Sequence, residues 1–208
     1  MIVSEIVELD KKRCKVFIDG EYAFVLYKGE LRDYCIKQGA EINESVYEEI
    51  ISVVLSKRAK LRAMNLLQKK DYTEKQLREK LVEGQYPEKL VDEAIEYVKS
   101  YRYLDDERFA RDYITYRISD RSRARIIQDL VGKGVDKDLI NEIANELYDE
   151  ENQDPELSQI TTLLNKKHYD PKNCDFKDKQ KIMAFLARKG YSMEKIRKAM
   201  ELVTSSDY

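Results

Sequence analysis

Three stretches of this chain can be laid over one another without a gap. QLREKLVEGQYPEKLVDEAIEYV begins at Gln76, RIIQDLVGKGVDKDLINEIANEL at Arg125 and KIMAFLARKGYSMEKIRKAMELV at Lys181, so the copies are 49 and 56 residues apart. Leu81, Leu130 and Leu186 coincide, as do Tyr86, Val135 and Tyr191, then Val91, Ile140 and Ile196, then Val98, Leu147 and Val203. A self-similar period of this length is the mark of a repeat architecture. Each copy reads as a helix, a tight turn and a second helix. Gly134 and Gly190 stand where a helix ends in a left-handed residue. In the first copy Gln85 holds that place with Gly84 one residue early, so its turn is expected to be shifted or slightly strained.

A further amphipathic helix precedes each copy, at about 57–69, 106–118 and 155–167. The unit is therefore three helices, used three times. One such unit buries its apolar face poorly, and stacking neighbours solves the problem by giving an elongated, curved array. The expected divisions are 1–56, 57–104, 105–150 and 151–208.

The first 27 residues follow a different rule. IVSEIVEL, RCKVFI and YAFVLY alternate apolar and polar residues, and Asp19-Gly20 is a hairpin signal. They predict a three-stranded antiparallel meander, too small to stand alone. The period changes to three and four in ESVYEEIISVVLSKRAKLRAMNLLQKK, through Val46, Ile50, Val53, Val54, Leu61, Met64 and Leu67. The fold class is thus mainly α, with a small N-terminal β meander.

The densest group of carboxylates lies in YLDDERFAR, residues 103–111. With Asp105 as N-cap, Asp106 and Glu107 fall in the first helical turn, where the helix dipole favours negative charge. Leu104 and Phe109 then have the spacing of a hydrophobic staple. The same device recurs at Thr73 with Gln76, at Asp136 and at Ser192, with Tyr72 over Leu77, Val135 over Ile140 and Tyr191 over Ile196. Successive helical residues diverge and do not converge on one ion. The cluster therefore reads as helix construction. No other catalytic set emerges. His168 stands alone, Cys174 follows six residues on, and Cys14 and Cys35 are far away, without the paired spacing of a zinc site. VGKGVDK ends a helix and is no phosphate loop. No cofactor, metal or active site is expected.

Charge says more. Charged residues make up 38% of the 208, yet the formal net charge is only -2. SKRAKLRAMNLLQKK, residues 56–70, carries six basic residues and no acid, led by Lys57, Arg58, Lys60 and Arg62. YRISDRSRAR, residues 116–125, carries Arg117, Arg121, Arg123 and Arg125 against one Asp. NEIANELYDEENQDPE, residues 141–156, carries seven acids and no base. The near-zero total hides local fields of both signs. The basic clusters suit phosphates or an acidic protein surface, or else form a solvated face. The tyrosines around them, Tyr101, Tyr103, Tyr113 and Tyr116, divide between stacking on bases and packing into the core. No apolar run is long enough for a membrane span, the N-terminus lacks a secretory pattern, and three dispersed cysteines suit a reducing cytosol as buried or inert thiols.

YLDDERFARDYITYR, KDYTEKQLREKL and YPEKLVDEAIEYVKSYRYLDD together resemble the signature of the RecX family, regulators of the RecA recombinase. The resemblance covers about residues 57–204, and the N-terminal strands with GELRDYCIKQGAEI resemble an extension found in some members. Gln85 departs from the glycine frequent there, and the HYDPKNCDF loop with the acidic run before it is less typical. The resemblance implies a cytoplasmic, monomeric, non-enzymatic bacterial protein of tandem three-helix repeats. It would bind RecA filaments in or near their groove and modulate, mostly inhibit, recombinase and ATPase activity in DNA repair, recombination and the SOS response. Single-stranded DNA is a further expected partner through the basic patches. Two other readings stand beside it: a DNA-binding helical module that acts without a recombinase, and a metal-dependent enzyme built on Asp105, Asp106 and Glu107.

Overall fold

The computed structural model describes residues 1–149, 154–171 and 173–205. Glu150, Glu151, Asn152 and Gln153 of the acidic run, the expected division between 150 and 151, and Lys172 of the HYDPKNCDF loop lie outside the described residues. The described chain forms two compact units, Met1–Asp105 and Asp106–Tyr208.

The first unit opens with β1 (Val3–Glu8), β2 (Arg13–Ile18) and β3 (Glu21–Tyr27), an antiparallel sheet in that order. Ile18 pairs with Glu21, which leaves Asp19-Gly20 as a two-residue loop with φ of 50° and 88°. Positive φ at both positions matches the right-handed twist of the strands. Alternation along β2 buries Cys14, Val16 and Ile18, while β3 buries Phe24, Val25 and Leu26 in succession. After the short helix α1 (Lys28–Asp33) the chain returns to the sheet, where Val3 N–H donates to Ala40 O and Ile42 N–H to Met1 O, both at 2.9 Å.

A helical stretch then starts at Asn43, whose side chain accepts from Ser45 N–H. It runs through α2 (Glu44–Glu49), a π-helical turn (Ile50–Leu55) and α3 (Ser56–Leu67). Here the structure departs from the apolar row read in the sequence. Val53 and Leu61 are about half exposed, and the buried row is Ile50, Leu55, Ala59, Ala63 and Leu66. In a π turn residues five apart share a face, which is the Ile50–Leu55 step. Beyond it the packed face is built on small alanines, which a hunt for large apolar residues passes over.

Two helices complete the first trio, α4 (Glu74–Glu83) and α5 (Glu88–Ser100). The second trio is α6 (Asp106–Arg117), α7 (Arg123–Gly132) and α8 (Lys137–Asp149). The third is α9 (Pro155–Lys166), α10 (Phe176–Arg188) and α11 (Met193–Ser205). In each trio the first helix packs on the third: α3 on α5, α6 on α8, α9 on α11. The aligned residues Leu81, Leu130 and Leu186 are all buried, as are Val91, Ile140 and Ile196. The first trio shares one continuous core with the sheet, from Val16 and Phe24 through Ile50 to Leu77 and Ile95. The second and third trios each have their own core.

Helix ends follow two recurring devices. At the start, Thr73 and Gln76 cap reciprocally at 3.3 Å, Asp136 accepts from Asp138 and Leu139 N–H at 3.0 Å, and Ser192 accepts from Lys195 N–H. At the end, α4, α5, α7, α9 and α10 each close with a left-handed residue: Gln85, Arg102, Gly134, His168 and Gly190. Its N–H and the next one donate back to carbonyls in the last helical turn, as in Arg102 to Lys99 O at 2.8 Å and Tyr103 to Val98 O at 2.9 Å. This satisfies carbonyls that have no intrahelical partner. His168, exposed at such a stop, has a structural role that accounts for its place.

Within the second unit the two trios meet through polar groups. Ser122, the N-cap of α7, accepts from Arg125 N–H and donates to Lys189 O at 2.6 Å. Buried Glu156 accepts from Arg123 N–H at 2.9 Å and from Lys195 Nζ at 2.6 Å. Buried Gln159 donates to Ile118 O at 2.7 Å and accepts from the Tyr191 hydroxyl at 2.8 Å. The Gly190 backbone comes so close that a Cβ there would stand 2.5 Å from Ser122 Oγ.

Two predictions follow from these turns and this joint. Gly190→Ala is expected to lower stability by about 2 kcal/mol, since it adds left-handed strain of about 1–2 kcal/mol and forces the joint apart. Gln85→Gly, with φ of 65° at that residue, is expected to leave stability unchanged or raise it by about 0.5 kcal/mol. Urea unfolding of both variants decides: Gly190→Ala should be destabilised and Gln85→Gly should not. Separately, burial, with the Glu156 and Asp120 carboxylates, pushes the Tyr191 hydroxyl up to about 12. A raised native value means this contribution is whole below the unfolded tyrosine value near 10 and is lost as pH rises toward 12. The urea midpoint should therefore fall between those pH values, and fall less in Tyr191→Phe.

Candidate functional site

The basic residues singled out in the sequence divide into those the fold uses internally and those it presents. In the first unit, Arg58 is turned inward. It ion-pairs with Glu30, donates to Val25 O at 3.2 Å and lies 4.8 Å above the Tyr27 ring. Glu30 also accepts from Tyr27 N–H at 2.8 Å, so Arg58 ties α3 to the end of β3. Lys60 sits 5.6 Å above the Tyr97 ring. Lys57 and Arg62 are exposed on α3. Four residues close in sequence thus have three different settings. Two face solvent, one rests on an aromatic ring, and one holds the sheet to the helix.

In the second unit, Arg117 pairs with Asp120 at 3.2 Å and lies 4.9 Å above Tyr116, with its Nε buried and without a hydrogen-bond partner. Arg121 and Arg125 both pair with Asp129, the second at 3.3 Å, and Asp129 also accepts from the Tyr113 hydroxyl at 3.1 Å. Burial first, then that carboxylate, raises the pKa of Tyr113. Arg123 bonds Asn145 and lies 5.2 Å above Tyr148. These pairs are partly solvated, and each is worth little to stability. Their larger effect is to hold four guanidinium groups near the start of α7.

The structure adds two cations that the sequence reading missed. A cleft of about 350 Å³ is lined by Asp120, Arg121, Ser122, Arg125, Arg188, Lys189 and Tyr191. Arg188 and Lys189 come from the end of α10 and face the arginines at the start of α7. The signal was faint but present: both precede Gly190, and cations at a helix C-terminus complement the dipole. A neighbouring cleft of about 450 Å³ is lined by Ser119, Asp154, Ser158, Gln159, Thr162 and Lys166 among others, and is more mixed in charge. A surface with four cations around a cleft suits an anionic polymer or an acidic protein face.

No group of three or more His, Cys, Asp or Glu that could hold a metal ion occurs among the described residues. Asp105 stands just before the first residue of α6, and Asp106 and Glu107 fill its first turn, the placement expected of a helix start. Cys14 is buried, Cys174 is partly buried and Cys35 is exposed, so of the two alternatives, buried or inert, burial holds for Cys14 and not for Cys35. Among the described residues no helix is long and apolar enough to cross a membrane.

Comparisons with known proteins agree over most of the chain. Models of the first, second and third three-helix domains of RecX match residues 59–97, 105–143 and 154–200. A regulatory protein RecX of Caldanaerobacter subterraneus subsp. tengcongensis is 31% identical over 204 residues, covering 97% of this chain and all of that one. One from Clostridium acetobutylicum is 29% identical over 203 residues, covering 95% and 92%. A crystal structure of a regulatory protein RecX superposes with a TM-score of 0.66 at 22% identity, over 96% of this chain and 98% of that one. The structure of RecX from Lactobacillus salivarius gives 0.63 at 22% identity, over 73% and 97%. The two structures establish the fold, mainly helical with tandem three-helix domains behind a small antiparallel sheet. With the three domain models in order and a relative matched along its full length, the chain belongs to the RecX family of regulatory proteins.

Proposed function

We propose that this chain binds filaments of the RecA recombinase and inhibits their ATP turnover and strand exchange, as a cytoplasmic, monomeric regulator of DNA repair and recombination. The observation that carries this reading is family membership over nearly the whole chain. The cleft at the start of α7 supports it as a contact surface, with Arg121, Arg125, Arg188 and Lys189 around it. Arg117 and Arg123 flank that surface, and Lys57, Lys60 and Arg62 form a second one on α3. Arg58 contributes charge more than contact, because its guanidinium is engaged with Glu30. Several weak contacts on successive domains suit a filament, where each added contact is made at high effective concentration. Regulation of this kind needs no chemistry of the chain's own.

A second reading, a DNA-binding helical module that acts without a recombinase, is favoured by the same four cations. The two separate by salt and by partner. Binding naked duplex through many phosphates would show a steep decline with salt.

The test is ATP hydrolysis by the cognate RecA on single-stranded DNA while this protein is titrated in, with filament pelleting alongside. A substoichiometric fall in turnover with co-pelleting beyond a DNA-only control is expected. No change in either would remove the regulatory reading. Reversal of Arg117, Arg121, Arg123 and Arg125 to Glu is expected to weaken co-pelleting more at low salt than at high salt. Full binding by that variant would remove those residues from the contact surface.

A further inference from the structure

We propose that the end of α5 is a stacking platform for single-stranded nucleic acid, built from Tyr97, Tyr101 and Tyr103, with Arg102 next to the last two in sequence. The ring centroids of Tyr97 and Tyr101 are 5.0 Å apart, those of Tyr101 and Tyr103 5.8 Å. The last two rings are within 15° of parallel. Tyr97 packs on the first core, as a helical tyrosine ordinarily does. Tyr101 and Tyr103 are 57% and 50% exposed.

Comparison with the chain's other helix ends sets this one apart. The residue after the left-handed position is the one that usually tucks an apolar contact back onto its helix. Val135 and Tyr191 there are buried, and Tyr86 and Tyr169 are partly buried. At α5 that residue is Tyr103, exposed and stacked on Tyr101, while the next residue, Leu104, goes into the core. The left-handed residue itself is Arg102, with φ of 55°. Arg102 is exposed beside two exposed rings, so the stop presents a cation next to the tyrosine pair. Backbone hydrogen bonds from Arg102 and Tyr103 to the last turn fix the geometry.

The surroundings identify the occupant. Lys60 lies 5.6 Å above Tyr97, and Lys57 is exposed one turn earlier on α3. Glu96, 3.7 Å from Lys99, and Asp105 temper the positive field. Stacking rather than charge therefore leads, which suits unpaired bases: every base offers a π-face, and a duplex hides it.

Fluorescence anisotropy with the full chain and no recombinase tests this, using labelled oligo-dT, an abasic strand of equal length and a duplex. Wild type should bind oligo-dT more tightly than the other two. Its salt slope should be shallow, about -2 for roughly three phosphate contacts at -0.7 each. Tyr101→Ala/Tyr103→Ala should weaken oligo-dT at least about tenfold and leave the abasic strand unchanged. Tyr101→Phe/Tyr103→Phe should keep wild-type affinity. Arg102→Gly, which preserves the turn, should weaken both single strands a few-fold and alike. Equal affinity of wild type for oligo-dT and the abasic strand, no binding of oligo-dT, or full affinity in the double alanine variant would overturn the proposal. Circular dichroism confirms that each variant is folded. Because no filament is present, the outcome is independent of the regulatory reading.

Discussion

The second unit depends on how two small cores are joined without apolar contact to spare. Each trio has its own cluster, around Ile140 in one and Ile196 in the other. Between them stand Ser122, Glu156 and Gln159, all buried and all hydrogen-bonded across the joint. Buried polar groups left unpaired cost about 1–3 kcal/mol each, so the arrangement in which all are satisfied is strongly preferred to any slid or rotated one. The first unit solves the same problem differently. There the sheet and the first trio share one apolar core, and the polar tie is Arg58 at its edge. Apolar contact is tolerant of small displacements, whereas hydrogen bonds are directional. The two ends of the chain are thus assembled on different physical terms.

The broad plan was legible because repeats carry their own controls. One amphipathic pattern is ambiguous, but three aligned copies with buried Leu81, Leu130 and Leu186 are not. Caps at Thr73, Asp136 and Ser192 were readable for the same reason, since a side chain that accepts from its own helix acts locally. The turn at Gly190 was half readable. Its left-handed backbone follows from local sequence, but the approach of Ser122 is a fact about a residue 68 positions earlier, which no local pattern encodes. The stops at Arg102 and His168 were invisible because neither residue announces a left-handed conformation. The buried row of α3 was misjudged where alanine does the packing.

For the surface the limit lies elsewhere. Charge clusters were easily found in the sequence, but what each cation does is set by its partner across the fold. Arg58 and Arg62 are one helical turn apart and look alike on paper. One meets Glu30 and a carbonyl from β3, and the other meets solvent. Arg188 and Lys189 gain their interest only because the start of α7 comes opposite them. Linear proximity overstates the unity of a basic run and understates groupings made by folding.

The π turn ahead of α3 bears on how such a chain can change length. Ile50 and Leu55 are both buried, five residues apart on one face, and Val53 between them points outward. Without Val53 the same two residues would be four apart, which in an ordinary α-helix is again one face. The core would be served equally well by either spacing. A single-residue insertion or deletion inside a helix normally rotates everything after it by about 100°. Here the extra residue is taken up within one turn, so the helix can gain or lose it while every later side chain keeps its bearing.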